Sequence, residues 1–177
     1  DILLSGPGYG AAVEAIAAFE NDRKRPQTTR LMSSEEEDID LAIDLDYGDF
    51  YHSFEHKGDR LKSMSPVVFF ETSRGCWWGE RSQCTFCDYN KRMEFRAMDP
   101  KRAVAYLQRI LDQGRGRGRY FWSVDSILPT DYMDKVFPHL NIADDARIFY
   151  EVRACLSAPQ IEALRRFHVT MIQCGIE

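Results

Sequence analysis

Three cysteines lie close together in the chain, directly after an apolar run that is typical of a buried strand. The cysteines are Cys76, Cys84 and Cys87, and the apolar run extends from Val67 to Phe70. A loop that leaves a strand can turn all three sulfurs toward one point. Thiolates gathered in this way ligate a soft metal or an iron-sulfur cluster, because the metal charge relieves the repulsion among the anions. The motif therefore predicts a strand followed by a metal-binding loop.

The number of nearby ligands separates two kinds of metal site. His52 and His56 precede the strand, and Cys155 and Cys174 lie far downstream in other apolar segments. A structural zinc site has four protein ligands, whereas a four-iron cluster held by three cysteines leaves one iron open to a substrate or cofactor. The motif favours the open cluster. The alternatives are a structural zinc-binding module that finds a fourth ligand elsewhere and an electron-transfer iron-sulfur protein.

Charge and cysteine content limit the class of protein. The net charge of -5 argues against a dominating nucleic-acid or membrane-surface role, so neither partner is expected. The sequence has no run of about 18 apolar residues, which a membrane-spanning helix needs. Five cysteines, an odd number with three of them clustered, suit a reducing compartment better than a disulfide scaffold. We therefore expect a cytoplasmic protein.

The composition changes along the chain and predicts three segments. Residues 1–20 contain a short apolar run, a glycine-rich stretch and an alanine-rich helical segment, and residues 21–62 are polar and acidic like a solvated linker. We expect the glycines to form an ordinary turn, although glycines in such a place can also cradle a phosphate. The second half of the linker should pack on the domain that follows, because it carries Tyr47, Phe50, Tyr51 and Phe54.

Residues 63–177 alternate between strand-like and helix-like patterns, which indicates parallel βαβ units and an α/β fold. A helix should begin at Pro100, with Asp99 as its N-cap, and end at Gly114. Further strands are predicted over 120–126, 147–153 and 169–174, with helices over 131–137 and after Ser157. The arginine-glycine run 115–119 reads as an exposed loop, rather than as a nucleic-acid contact. The chain lacks an initiating Met and stops after a strand-like run, so we expect a piece of a longer protein.

Polar residues follow each predicted strand. Functional groups of a parallel barrel sit at the carboxyl ends of its strands, so a converging set of polar groups suggests a bound polar ligand. The alternative is that each residue merely caps a neighbouring helix or loop. The candidates include Ser123, Asp125, Glu151, Arg153 and Gln173.

The cysteine loop closely resembles that of radical S-adenosylmethionine (SAM) enzymes. The likeness lies in Glu71-Thr-Ser-Arg-Gly-Cys-Trp-Trp-Gly79 and Cys84-Thr-Phe-Cys87, with seven residues between the first two cysteines. This spacing resembles the subgroup that matures ribosomally made, bacteriocin-like peptides and that usually carries a cobalamin-binding domain ahead of the barrel. The resemblance implies that residues 63–177 form the first four strands of a TIM-like (β/α) barrel, after an acidic linker at 21–62. Residues 1–20 would be the remnant of an upstream cobalamin-binding-like domain.

The same resemblance implies the cofactors and the residues that contact them. Cys76, Cys84 and Cys87 would hold a 4Fe-4S cluster, whose open iron binds the amino and carboxylate groups of SAM. Phe86 matches the aromatic position near the adenine, and Asp125 matches the acid that contacts the methionine amino group. The remaining expected cofactor contacts are Ser123 beside Asp125, Glu151 and Arg153 for the ribose hydroxyls or the carboxylate, and Gln173 for the adenosyl side.

The function that the resemblance implies is modification of a ribosomally synthesised peptide by cobalamin-dependent C-methylation. The expected partners are the precursor peptide and a reductant such as flavodoxin or ferredoxin. Because the barrel would be half complete, we expect these residues alone to be inactive. Two interpretations concern neighbouring side chains: Trp77 and Trp78 read as packing residues rather than corrin contacts, and Cys155 and Cys174 read as small apolar core residues.

Overall fold

The structure, a computed structural model, describes residues 3–5, 9–22, 30–32, 39–41, 44–56, 64–87 and 94–175. The chain divides into two compact units, Asp1–Leu41 and Ala42–Glu177. The domain boundaries predicted near residues 20 and 62 stay predictions. Within the described residues, no helix has the length and apolar character that crossing a membrane requires.

The described residues of the first unit include a parallel strand pair. Strand β1 (Leu3–Ser5) pairs with β2 (Arg30–Met32), and helix α1 (Tyr9–Asp22) lies between them in the chain. A short 3-10 helix follows at Ile39–Leu41. The predicted strand and helix of residues 1–20 are thus present, while the glycine-rich turn at 6–8 lies outside the described residues. The predicted origin in a cobalamin-binding-like domain stays a prediction.

The second unit is built on a four-stranded parallel sheet. Its strands are β3 (Val67–Phe70), β6 (Tyr120–Ser123), β7 (Arg147–Arg153) and β8 (Val169–Gly175), and they are neighbours in this order. A further antiparallel pair joins β4 (Ser73–Arg74) to β5 (Arg96–Ala97). The mixed α/β class and the parallel sheet are confirmed. Closure of such a sheet into a barrel stays a prediction.

Helices alternate with the sheet strands after β5, as the sequence pattern predicts, and further helices lie before β3 and between β4 and β5. They are α2 (Gly48–His56), α3 (Trp77–Arg81), α4 (Pro100–Gly114), α5 (Tyr132–Lys135) with a 3-10 turn at Phe137–His139, and α6 (Ala158–Arg166). The start of α4 is confirmed: Asp99 Oδ1 accepts a hydrogen bond of 2.9 Å from the Lys101 amide, and Pro100 is the first helical residue.

The two faces of the sheet differ. On one face, Phe70, Phe121, Ile148 and Tyr150 are buried together with Leu107, Ile110 and Leu111 of α4. On the other face, Phe69, Trp122, Phe149 and Met171 lie at one level across the four strands. The Trp122 and Phe149 ring centres are 4.6 Å apart. This second face therefore carries an aromatic layer below the carboxyl ends of the strands.

The second half of the predicted linker packs on the sheet domain, as its aromatic residues indicated. Tyr51 of α2 is 1% exposed, and the Tyr47 hydroxyl donates to the Phe69 carbonyl. The close fit explains the glycine that ends α4, since a Cβ at Gly114 would lie 2.6 Å from the Phe121 ring and 2.9 Å from the Tyr51 hydroxyl. Asp44 forms ion pairs with Arg102 and Arg109 of α4.

Candidate functional site

The cysteine loop is closed at its base by the antiparallel pair of β4 and β5. Ser73 pairs with Ala97, and Arg74 pairs with Arg96. Between this pair and Cys76 stands Gly75, which has φ of +74°. A Cβ at Gly75 would lie 2.7 Å from the Glu94 carbonyl oxygen. Only glycine fits this turn without strain, because it combines left-handed backbone with contact against the returning strand.

Helix α3 occupies the first part of the loop. Cys76 is its N-cap, and the Cys76 sulfur accepts a hydrogen bond of 3.4 Å from the Gly79 amide. Two further bonds anchor the helix: Trp77 Nε1 donates to the Leu128 carbonyl at 3.1 Å, and Glu80 Oε1 accepts from the Phe95 amide at 2.7 Å. These bonds attach α3, and with it Cys76, to the connection after β6 and to the base of the loop.

The other two cysteines lie in a tight turn. The Cys87 amide donates to the Cys84 carbonyl at 3.1 Å, and Gln83 Nε2 donates to the Cys87 carbonyl at 2.9 Å. Phe86, at the tip of the turn, is 72% exposed. The two-residue gap between the cysteines therefore sets a turn that leaves an aromatic ring uncovered. Residues 88–93 lie outside the described residues.

The cysteine loop and the carboxyl ends of the strands line a cavity of about 670 Å³ that is open to solvent. Its lining joins the cysteine loop to the carboxyl ends of β7 and β8, where Glu151 pairs with Gln173 across the two strands. All predicted site residues except Ser123 and Asp125 line this one cavity. They are Cys76, Cys84, Cys87, Phe86, Glu151, Arg153 and Gln173. The roles assigned to them in cofactor binding stay predictions.

Cys76, Cys84 and Cys87 have the thiol chemistry that an iron-sulfur cluster requires, and all three line the same cavity. All five cysteines lie in the described part of the chain as thiols, and the three of the loop are half-buried. Yet no group of three or more His, Cys, Asp or Glu side chains is arranged to hold a metal ion among the described residues. The three thiols are therefore suitable ligands for iron, but among the described residues their sulfur atoms are not gathered into a metal-binding group.

Arg153 and Glu151 are the charged groups that line the cavity. The Arg153 guanidinium carbon lies 3.4 Å from the centre of the Trp78 ring and 5.9 Å from that of Trp77. Within the described residues, Arg153 has no carboxylate partner and the Glu151 side chain has no hydrogen bond. Burial raises the pKa of the Glu151 carboxyl. Because the two residues are two apart on β7, they face the same side of the sheet and remain available to a polar ligand.

Ser123 and Asp125 lie in the protein interior and do not line the cavity. They are 2% and 1% exposed. Asp125 Oδ1 accepts from the amides of Thr72 and Ser73 at 2.6 and 2.8 Å, and Oδ2 accepts from the Thr72 hydroxyl. The Asp125 amide donates to Ser123 Oγ at 3.0 Å. Burial raises the pKa of the Asp125 carboxyl to about 6. The strand predicted over 120–126 consequently ends at Ser123, where the chain turns inward.

Two interpretations of neighbouring residues change. The expectation that Cys155 and Cys174 are core residues is wrong, because both are exposed. Cys174 lines the cavity, since it belongs to the carboxyl end of β8 beside Gln173. Sequence reasoning missed this placement, although its position next to a predicted site residue was a signal. Trp78 also lines the cavity and stacks on Arg153, so it is more than a packing residue.

Comparison with known proteins identifies the fold by structure alone. No family model matches the chain, and no curated protein matches it significantly in sequence. Among solved structures, the chain is similar in fold to a radical SAM enzyme. The cysteine motif resembles that of the same superfamily. The particular structure is that of the apo, selenomethionine-labelled, cobalamin-dependent S-adenosylmethionine radical enzyme OxsB.

The similarity is in the fold and not in the detailed sequence. The TM-score is 0.59 at 15% sequence identity, over 97% of this chain and 27% of OxsB. The chain thus spans about a quarter of the length of that enzyme. At this identity the likeness shows a shared fold.

Proposed function

We propose that this chain is part of a radical SAM enzyme that holds a 4Fe-4S cluster through Cys76, Cys84 and Cys87. One observation carries the proposal: three cysteines with the predicted spacing share a single cavity with Glu151, Arg153 and Gln173. Thiols supply the ligands that iron prefers, and the polar residues supply contacts for a zwitterionic nucleoside. The similarity to the fold of a radical SAM enzyme supports the same conclusion.

The described side chains have distinct parts in binding SAM. Arg153 pairs with the methionine carboxylate, because it is a cation in the cavity whose described contacts are the faces of Trp77 and Trp78. Glu151 accepts hydrogen bonds from the ribose hydroxyls, and Gln173 on the paired strand contacts the adenosyl group. Phe86 offers an exposed ring to the adenine. A bound cluster supplies the electron that cleaves a carbon-sulfur bond of SAM.

The substrate of the proposed enzyme is a ribosomally synthesised peptide, and the reaction is a C-methylation that uses cobalamin as the methyl carrier. Two observations support this finer proposal. The loop sequence around Cys76 resembles the peptide-maturation subgroup, and the structurally similar OxsB is a cobalamin-dependent enzyme. Flavodoxin or ferredoxin would supply the electron, and the protein would position the cofactors and exclude water.

Anaerobic reconstitution of the full chain with iron and sulfide tests the proposal. We expect a brown protein with broad absorption at about 400 nm and about four irons per chain, whereas a zinc module would stay colourless. Cys76→Ala should lose the absorption. Cys155→Ala is the matched control, because Cys155 is exposed and does not line the cavity. A colourless product, or absorption that survives in Cys76→Ala, would overturn the proposal.

A further inference from the structure

Asp125 is bound to two consecutive residues of the segment that leads into the cysteine loop. Its two oxygens accept three hydrogen bonds, two from the backbone amides of Thr72 and Ser73 and one from the Thr72 hydroxyl. Asp125 lies 53 residues from Thr72 in the chain, so the contact ties the end of β6 to the end of β3. A carboxylate that accepts two adjacent amides fixes the direction of the backbone at that point.

The opposite side of the same segment is also fixed. The Thr72 carbonyl accepts a 2.8 Å bond from the Met98 amide and a 3.3 Å bond from the Tyr132 hydroxyl. The single hydroxyl hydrogen of Tyr132 is shared between this carbonyl and the Met98 carbonyl, whose oxygen lies 2.8 Å from the hydroxyl oxygen. Tyr132 and Met98 are 0% and 1% exposed. The two ends of the cysteine loop are therefore held together and bound to the sheet at one buried point, of which Asp125 is the charged member.

We infer that Asp125 is a positioning residue for the cysteine loop: it fixes residues 72–73 and thereby the place at which Cys76 enters the cavity. Gly75 transmits this constraint, because it makes a single left-handed turn between the fixed segment and Cys76. The inference rests on the proposed function in taking Cys76 as a cluster ligand. The constraint on the loop itself can be measured in the chain without any cofactor.

A direct contact between Asp125 and SAM is the competing role. Both carboxyl oxygens already accept hydrogen bonds, and the residue is 1% exposed and does not line the cavity. To reach a ligand, the side chain would have to leave two backbone amides unpaired in the interior, which is costly. The geometry therefore favours positioning over contact.

Two substitutions at Asp125 separate the roles. Asp125→Asn keeps an Oδ1 that can accept from both amides, and its new NH₂ group can donate to the Thr72 hydroxyl. Asp125→Ala removes all three acceptors. A positioning residue should tolerate Asn and not Ala, whereas a residue that binds the cofactor amino group by charge should tolerate neither.

The first experiment measures the alkylation rate of Cys76 in the cofactor-free full chain, by mass spectrometry, relative to the exposed Cys155. We expect Asp125→Ala to raise this ratio by about tenfold and Asp125→Asn to leave it within about twofold of the parent. Asp134→Ala, which removes an exposed carboxylate from α5, is the control and should leave the ratio unchanged. A general loss of folding would also raise the ratio, because Cys155 is already exposed, so the Asp125→Ala ratio must stay below the value measured for the chain unfolded in urea.

Thr72→Val keeps the inference testable if Asp125→Ala fails to fold. It removes only the hydroxyl donor to Asp125, and it should raise the alkylation ratio of Cys76 in the same direction by a smaller factor. An unchanged ratio in Thr72→Val, or an Asp125→Asn ratio as high as that of Asp125→Ala, would overturn the inference.

The second experiment compares SAM affinity after reconstitution with iron and sulfide. Positioning predicts that Asp125→Asn binds iron and SAM as the parent does. Normal iron content with a SAM affinity at least about tenfold weaker in Asp125→Asn would show a direct contact and overturn the inference. If the parent chain itself binds no iron, the proposed function fails, and the alkylation ratios still decide whether Asp125 positions the loop.

Discussion

The guanidinium carbon of Arg153 lies 3.4 Å from the centre of the Trp78 ring, so a residue of the cysteine loop holds a residue at the carboxyl end of β7. Guanidinium groups stack on indole faces through cation-π attraction, and they keep their hydrogen-bond donors for other partners. This contact joins the two sides of the cavity. It also makes Arg153 a cation that is fixed in place before any ligand binds.

Replacing Arg153 should weaken SAM binding. We expect Arg153→Leu to lower the affinity of the reconstituted chain by about tenfold or more, because a charge-assisted hydrogen bond to the carboxylate is lost. Quenching of tryptophan fluorescence on SAM addition provides the measurement. Arg166→Leu is a matched control, since Arg166 stacks on Phe167 and lies away from the cavity. Equal affinities for Arg153→Leu and the parent would refute this role of Arg153.

Trp78 should act through Arg153. Trp78→Ala removes the ring on which the guanidinium rests, and we expect a loss of SAM affinity of about three- to tenfold. Trp78→Phe keeps an aromatic face and should recover most of that loss. In the Arg153→Leu background, Trp78→Ala should have little further effect, because the two residues work as one unit. Additive losses measured by calorimetric titration would show that Trp78 has a separate role.

Gly75 should be indispensable to the loop. Gly75→Ala places a Cβ 2.7 Å from the Glu94 carbonyl oxygen at a residue with φ of +74°. Gly116→Ala is a close control, because Gly116 has φ of +73° and no atom within 4 Å of an added Cβ. The control should lose about 1 kcal/mol in the free energy of unfolding, and Gly75→Ala about 1–3 kcal/mol more.

Urea unfolding of the parent and the two alanine variants gives these free energies. The difference between the variants isolates the clash from the backbone strain that they share. Equal losses for Gly75→Ala and Gly116→Ala would mean that the base of the loop can open without cost, which contradicts the close approach of Gly75 to Glu94.

Asp125 should make stability depend on pH. Burial raises the pKa of its carboxyl from 3.8 to about 6 in the folded chain, so folding favours the protonated form. The corresponding stabilisation is complete below about pH 4 and is lost as the pH rises through about 6. Relative to Asp125→Asn, the parent should therefore lose at most about 3 kcal/mol of unfolding free energy over this interval.

Urea unfolding from pH 4 to pH 7 on the parent and Asp125→Asn measures this difference. The comparison cancels the titration of groups that the two proteins share. A difference that does not change with pH, or a parent that gains stability relative to Asp125→Asn as the pH rises, would contradict the direction of the pKa shift.

Local signals in the sequence predicted the regular elements well. Asp99 followed by Pro100 marked the start of α4, and the strand-helix alternation predicted that the strands of the sheet are parallel. The polar ends of these strands and the cysteine motif together predicted six of the residues that line the cavity, which are Cys76, Cys84, Cys87, Glu151, Arg153 and Gln173. These features depend on residues near one another in the chain, where capping and side-chain alternation act.

Long-range contacts were the part that sequence reasoning could not supply. Whether Asp125 faces the cavity or the segment at Thr72 depends on a turn after Ser123 that brings together residues 53 apart in the chain. The stacking of Arg153 on Trp78 likewise has no local signal. The two-residue strands β4 and β5 are too short to show a side-chain pattern, although they close the base of the cysteine loop.

The most direct test of the cluster with an open iron is electron paramagnetic resonance of the reduced, reconstituted full chain with and without SAM. Direct binding of SAM to an iron changes the surroundings of the cluster, so we predict a clear shift in the g-values of the signal. Arg153→Leu should need higher SAM concentrations for the same shift. A cluster signal that SAM leaves unchanged at saturating concentration, or the absence of any iron-sulfur signal, would contradict the account.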